Sequence, residues 1–489
     1  MLNKTGKLKA AMENATTYEQ WKECAMELDH IENNVEWKER FVSDQYNYNL
    51  VYDRFSQLRT CHQQKNTCEL VRSLREGLHH DLGNMGNPAL YTRSRVGTKH
   101  LIEEYINQVC ASLNYLCDES VEGFRDNEKL RFFQDTLLSF GRPALLLSGG
   151  ATLGMFHIGV IKALWERGLL PRVIAGSSVG SLVAAMLGSY TDAELPEMLD
   201  PDHHNLSPWK WQGICKGITG QGFMSPDQLR SCLRSNIGEL TFEESWKRTG
   251  RSVNITVSPT QDHQKARLLS RYTSPYLLMW SASQASCSVP GIFPPTTLMK
   301  KTKRGELTDY MPGLKWVDGS VVSDLPIERL MHLYDVNFSI VSQTNPHIVP
   351  FLQGSSKSGK KSLWSLPVRL LKAEAGFHGK VVFDFLRKSA GPEMLRQASG
   401  QMYAILAQKY IGDVTIAPEV SLQNYQKMLS NPSPEFVAKL TREGERATWP
   451  KIAMIRTHAK ISQTLEKCIL RIEGRLQVKK GELRVISSG

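Results

Sequence analysis

Long apolar runs are missing from this 489-residue chain. No window reaches the roughly 18 to 20 consecutive apolar residues that a membrane-spanning helix requires. The opening stretch MLNKTGKLKAAMENATTYEQ has no apolar core of the kind that marks a secretory signal. The expected setting is therefore intracellular, with no span across a bilayer. Cysteine is sparse as well: nine residues, an odd number, with no C-x-x-C pair. That argues against a disulfide framework and against a zinc site, and it suits a reducing compartment. Internal repeats and low-complexity blocks are also absent, which excludes solenoid and fibrous architectures.

Acidic residues are the scarcer sign, 49 against 60 Lys and Arg, which leaves a net charge of +11. The excess gathers late in the chain. Nine cations face three acids from Phe351 to Gly400, and nine face three again from Lys451 to Gly489. A basic surface attracts nucleic acid or anionic lipid. No nucleic-acid-reading module accompanies it, so nucleic acid is not an expected partner. Within the first basic stretch, LWSLPVRLLKAEAGFHGKVVFDFLRKS interleaves Trp, Phe and Leu with the cations, a texture suited either to a bilayer interface or to a helix packed on the rest of the protein.

Three regions follow from the patterning. Residues 1–140 carry apolar positions three and four apart and read as helices. Residues 141–345 change texture: PALLLSGG is a short buried strand, MFHIGVIKALWERG an amphipathic helix with a glycine stop, and RVIAG a second strand. Further strands are expected at SVNITVSP, LKWVDGS and VNFSIVSQT. Strands alternating with helices specify an α/β fold with a mostly parallel sheet covered on both faces. Residues 346–489 are the basic, mainly helical remainder, and the part from Trp449 onward reads as a solvated helix.

The chemistry centres on GSSVGS. Gly176, Ser178 and Gly180 form a G-x-S-x-G pentapeptide between an apolar strand and a small-residue helix, the context in which a serine is thrust out at a strand end. Ser178 would stand at a helix N-terminus, where amides and dipole favour developing negative charge. SGGATLG follows the preceding strand, and its Gly149, Gly150 and Ala151 offer backbone N–H groups for an oxyanion. A phosphate-cradling loop is the rival for those glycines, but neither a P-loop Lys-Ser/Thr nor a ribose-binding acid accompanies it. For the base, two arrangements stay open. Asp318 in WVDGS takes the serine proton directly, or a Ser-Asp-His triad uses His347, with His332 behind it. His157 reads as structural. No metal or cofactor is implied.

LLLSGGATLGMFHIGV, GSSVGS, SVPGIFPP and WVDGS together resemble the patatin-like phospholipases, and within them the intracellular triacylglycerol lipases of fungi and plants. The similarity runs from about Tyr18 to about Phe351. It implies a three-layer α/β/α fold with helical extensions and a Ser178–Asp318 dyad. It also implies hydrolysis of neutral-lipid or phospholipid esters at a lipid droplet or endoplasmic reticulum membrane. Two positions depart from the family pattern: the oxyanion loop reads S-G-G-A, and Asp318 is followed by Gly-Ser. An H-x-x-x-x-D acyltransferase signature is missing. An aspartate is an intrinsically weak base, so Asp318 is expected in a dry pocket that raises its proton affinity.

Overall fold

The computed structural model describes residues 2–487 except 119–123, 214–215, 217–221, 262–263, 320–324, 347, 350–409 and 420. The N-terminal region is helical, as its apolar spacing predicts. It holds α1 (Leu2–Asn14), α2 (Tyr18–Ile31), α3 (Tyr48–Gln63), α4 (Thr67–Gly77), α5 (His100–Asp118) and α6 (Asp126–Phe140). Side-chain caps set three of these starts. Thr17, Asn47 and Asn66 each precede a helix and accept a hydrogen bond from a first-turn amide, supplying the acceptor that the helix cannot.

The sheet begins where the apolar run predicts. In chain order come β1 (Arg142–Leu147), α7 (Phe156–Glu166), β2 (Val173–Gly176), α8 (Val179–Ser189), β3 (Ser252–Pro259), β4 (Arg267–Ser270) and α9 (Met279–Cys287). The hairpin strands β5 (Leu298–Lys301) and β6 (Leu307–Tyr310) follow, then β7 (Trp316–Asp318), β8 (Val336–Ser342), β9 (Val414–Ile416), α10 (Pro434–Thr448) and α11 (Ile452–Ser487). The main sheet runs β4-β3-β2-β1-β8-β9, with β7 also paired to β3. β1, β2, β3, β8 and β9 pair in parallel, while β4 and β7 lie antiparallel to β3.

Both faces of the sheet are covered. Leu145 and Leu147 point into the large core shared with the helices of both ends of the chain. Ala144 and Leu146 alternate to the other face, against Leu330 and Tyr334 of the helix Ile327–Tyr334. This is why β1 reads as a continuous apolar run. The chain leaves β1 toward β2 on one side, while β8 flanks β1 on the other, so the strand order reverses at β1. The crevice beyond the carboxyl end of such a strand is where α/β sheets place their sites.

One expectation is overturned. The helix after Trp449 is not solvated: Ile455, Ala459, Ile461, Leu465, Cys468 and Ile472 of α11 are fully buried and join the same core as α5 and α6. Its cations Arg456, Lys467 and Arg471 lie on the opposite, exposed face, so the charge count concealed a helical stripe. The supposed extension also supplies β9 to the sheet and α10 to the back of α7. There Gly159 and Gly444 let two helices meet closely: a Cβ on Gly159 would lie 1.8 Å from the Thr441 carbonyl oxygen, and one on Gly444 2.2 Å from that of Phe156. The interleaved basic stretch at 363–389 lies outside the described residues.

Candidate active site

Strand β2 ends at Gly176 and α8 starts at Val179, so Ser177 and Ser178 make the whole turn. Ser178 adopts φ 51° and ψ −127°, a backbone conformation that costs a residue with a Cβ about 1–3 kcal/mol. Its surroundings hold it there. The Ser178 amide donates to Ser286 Oγ at 2.9 Å, and Ser286 Oγ donates in turn to the Thr256 carbonyl at 2.8 Å. The Ser178 carbonyl accepts from the Ser181 amide at 2.8 Å and from Ser181 Oγ at 2.6 Å. The flanking glycines answer to crowding: a Cβ on Gly176 would lie 2.2 Å from the Gly180 carbonyl oxygen, and one on Gly180 2.2 Å from that of Leu147. Ser178 therefore sits in a turn whose strand and helix backbones touch, at the N-terminus of α8.

The glycine loop occupies the neighbouring strand end. Gly149 and Gly150 lead from β1 into a short 3-10 turn, Ala151–Met155, and then α7. A Cβ on Gly150 would come within 2.4 Å of Thr344 Oγ1 and 2.8 Å of the Thr344 carbonyl oxygen, so only glycine fits against Thr344, two residues beyond β8. The loop is tied down from several sides. His157 Nε2 lies 3.0 Å from the Ser148 carbonyl and Nδ1 lies 2.7 Å from Ser342 Oγ. Thr344 Oγ1 donates to the Gly149 carbonyl at 3.2 Å. Thr152 Oγ1 donates to the Ser430 carbonyl at 2.8 Å and accepts from Trp209 Nε1 at 3.2 Å. Burial holds His157 down to about 4 from its usual 6.5, so the ring is neutral at physiological pH.

Asp318 ends β7, paired across from Val257 of β3, and is fully buried. Its amide donates to the Ser288 carbonyl at 3.1 Å. Gly319 is required by proximity, because a Cβ there would lie 2.4 Å from the Thr256 carbonyl oxygen. Ser178 and Asp318 are thus both pinned to the C-terminal end of α9, through Ser286 and Ser288. Between those two serines, the Cys287 thiol lies beside Ser178 and Ser181. Burial, with the Asp318 charge adding to it, pushes that thiol well above the usual cysteine range. The thiol stays protonated.

A family model described as patatin-like phospholipase matches residues 145–331, and one for a domain of unknown function, DUF3336, matches residues 1–137. Triacylglycerol lipase ptl3 of Schizosaccharomyces pombe is 34% identical over 480 residues, covering 95% of this chain and 97% of that protein. The chain belongs to the patatin-like phospholipase family. Other members similar to it are triacylglycerol lipase 4 of Saccharomyces cerevisiae, at 36% identity over 95% of this chain, and triacylglycerol lipase SDP1L of Arabidopsis thaliana, at 35% over 94%. The chain spans 53% and 58% of the length of those two relatives. Among solved structures, VipD from Legionella pneumophila aligns over 65% of this chain and 67% of its own at 13% identity, with a TM-score of 0.32.

Against the patatin-like pattern, Ala151 stands where glycine is usual, and it sits at φ 50°. Its Cβ is therefore accommodated at a backbone angle that glycine adopts freely. Of the two histidines considered for a triad, His332 lies exposed on the helix Ile327–Tyr334, and His347 lies outside the described residues, as does Ser320. Nothing in the local pattern marks Ser286, Cys287, Thr344 or Trp209. Serine and threonine are too common to stand out, and only the crossing of β3, α9 and the strand ends brings them to the turn. Among the described residues, no group of three or more His, Cys, Asp or Glu could hold a metal ion, and no helix is long and apolar enough to cross a membrane.

Proposed function

We infer that this protein hydrolyses the acyl esters of triacylglycerol through an acyl-enzyme on Ser178, with Asp318 as the shared base and acid. The observation that carries this reading is the common anchoring of Ser178 and Asp318 at one end of α9, beside the glycine loop of β1. In the first half-reaction Ser178 Oγ attacks the ester carbonyl while its proton passes to Asp318. A carboxyl group kept from water holds a proton more readily than one in bulk solvent, which suits Asp318 at zero exposure. The amides of Gly149, Gly150 and Ala151 receive the oxyanion. The proton then goes to the departing glycerol oxygen. In the second half-reaction Asp318 takes a proton from water, which attacks the acyl-enzyme, and fatty acid leaves as Ser178 recovers its hydrogen.

The names of the relatives support triacylglycerol as substrate, and the late surplus of cations supports docking on a lipid droplet or an anionic membrane surface. The test is fatty-acid release from emulsified triolein, with dioleoyl phosphatidylcholine alongside. Wild type should release oleate from triolein, and Ser178→Ala and Asp318→Asn should each lose at least about a thousandfold. Release confined to phosphatidylcholine would make the protein a phospholipase. Binding to droplets without turnover of any ester would make it a lipid-surface protein, and full activity in either variant would refute the dyad.

A further inference from the structure

Hydrogen bonds behind the glycine loop fix more than its position. In a trans peptide the C=O of one residue and the N–H of the next point to opposite sides of the chain. The Ser148 carbonyl is held by His157 Nε2 at 3.0 Å. The Gly149 carbonyl is held by Thr344 Oγ1 at 3.2 Å and by Ser148 Oγ at 3.0 Å. Each anchored carbonyl turns the following amide the other way, so the His157 contact sets the direction of Gly149 N–H and the Thr344 contact that of Gly150 N–H.

The chemistry of the partners assigns every proton in this cluster. A carbonyl only accepts, so His157 Nε2 carries the hydrogen, and Nδ1 must accept from Ser342 Oγ at 2.7 Å. Ser148 Oγ accepts from the Thr344 amide at 2.8 Å and passes its own hydrogen to Gly149. All four side chains are fully buried, and they come from the strand ends of β1 and β8 and the first turn of α7. Full burial keeps the ring neutral, so Nδ1 has a lone pair to offer and the Ser342 hydroxyl is its donor.

Resting on the Ser178 reading above, we propose that His157 and Thr344 are positioning residues that aim the Gly149 and Gly150 amides at the oxyanion, each by holding the preceding carbonyl. They touch neither substrate nor the reacting atoms. They act through the peptide planes, so their loss should weaken stabilisation of the tetrahedral intermediate while leaving ester binding intact.

The test uses the full chain and p-nitrophenyl butyrate, with Thr344→Val, Thr344→Ser, His157→Phe and His157→Gln. Valine keeps the volume of threonine and removes the hydroxyl, so Thr344→Val should lower kcat about tenfold with KM within about twofold, a fraction of the loss caused by deleting an oxyanion donor outright. Thr344→Ser restores the hydroxyl and should recover most of that. His157→Phe should lower kcat further, and His157→Gln, which can still donate to the Ser148 carbonyl, should lie between it and wild type. The rate of Ser178 labelling by a fluorophosphonate should fall in the same proportion, since its phosphoryl oxygen needs the same amides. Circular dichroism melts identify the folded variants. Folded Thr344→Val with wild-type kcat and labelling rate, or Thr344→Ser no better than Thr344→Val, overturns the proposal. Wild-type turnover in Ser178→Ala would instead overturn the reading of Ser178, so the two failures are distinguishable.

Discussion

The strain stored at Ser178 is measurable with two substitutions that differ by one carbon. Ser178→Ala and Ser178→Gly both remove the nucleophilic hydroxyl, so both should be inactive on triolein. Alanine keeps the Cβ at φ 51° and ψ −127°, whereas glycine adopts that region without steric cost. Relief of the strain is worth about 1–3 kcal/mol, and the greater freedom of glycine in the unfolded chain returns about 0.5–1 kcal/mol. The glycine variant should therefore be more stable than the alanine variant by about 1.3 kcal/mol at the middle of these ranges and by about 2.5 kcal/mol at most. For a chain of this length that is about 1–2 °C in melting temperature, within the resolution of differential scanning calorimetry. Equal stability, or a less stable glycine variant, would refute the claim that the turn is held in a strained conformation by its surroundings.

Acidification should loosen the fold through its buried histidines. His458 stacks on Phe338 with ring centroids 4.2 Å apart, and its Nδ1 lies 3.2 Å from His80 Nε2. Burial, with the neighbouring His80 adding to it, lowers His458 to about 4, and burial lowers His80 as well. A folded-state value below the unfolded 6.5 means that the stabilisation is complete above about pH 6.5 and is lost as pH falls through about 4. For His458 the loss is roughly 3 kcal/mol. Urea melts of wild type and His458→Gln between pH 7 and pH 4 should converge by that amount, and parallel curves would contradict it. Leu465→Ala, in the middle of the buried stripe of α11, should cost about 2–5 kcal/mol. A loss under about 0.5 kcal/mol by urea denaturation would mean that α11 is a solvated helix after all.

The α/β sheet and the G-x-S-x-G turn were legible because they depend on local pattern. PALLLSGG and RVIAG announce strands buried on both faces, and Gly176 and Gly180 sit where a strand and a helix must touch. Asp318 was legible as a candidate because Gly319 follows it at a strand end. The helix after Trp449 was misread because its exposed cations outnumber its acids, while the apolar stripe that decides burial repeats at intervals of about 3.6 residues beneath them. β9 could not be read from Val414–Ile416 because three β-branched residues are too short a run to mark a strand without the neighbour that they pair with. The supports of the turn were invisible for a related reason. Ser286, Ser342 and Thr344 acquire meaning from contacts across 100 to 200 positions of chain, such as the 187 that separate Thr344 from His157.

The aromatic cluster of Tyr18, Trp21 and Trp449, with ring centroids 5.8 to 6.5 Å apart and Trp449 meeting the other two edge-on or tilted, joins the first helices to the last. Arg446 reinforces that closure by donating to the Ala15 carbonyl at 2.9 Å. A clone trimmed to residues 145–331 would lose β8, β9 and the helix seated on Gly159, and would bare the greasy flank of the sheet to solvent. Expression boundaries for this protein must therefore enclose the helices at both ends.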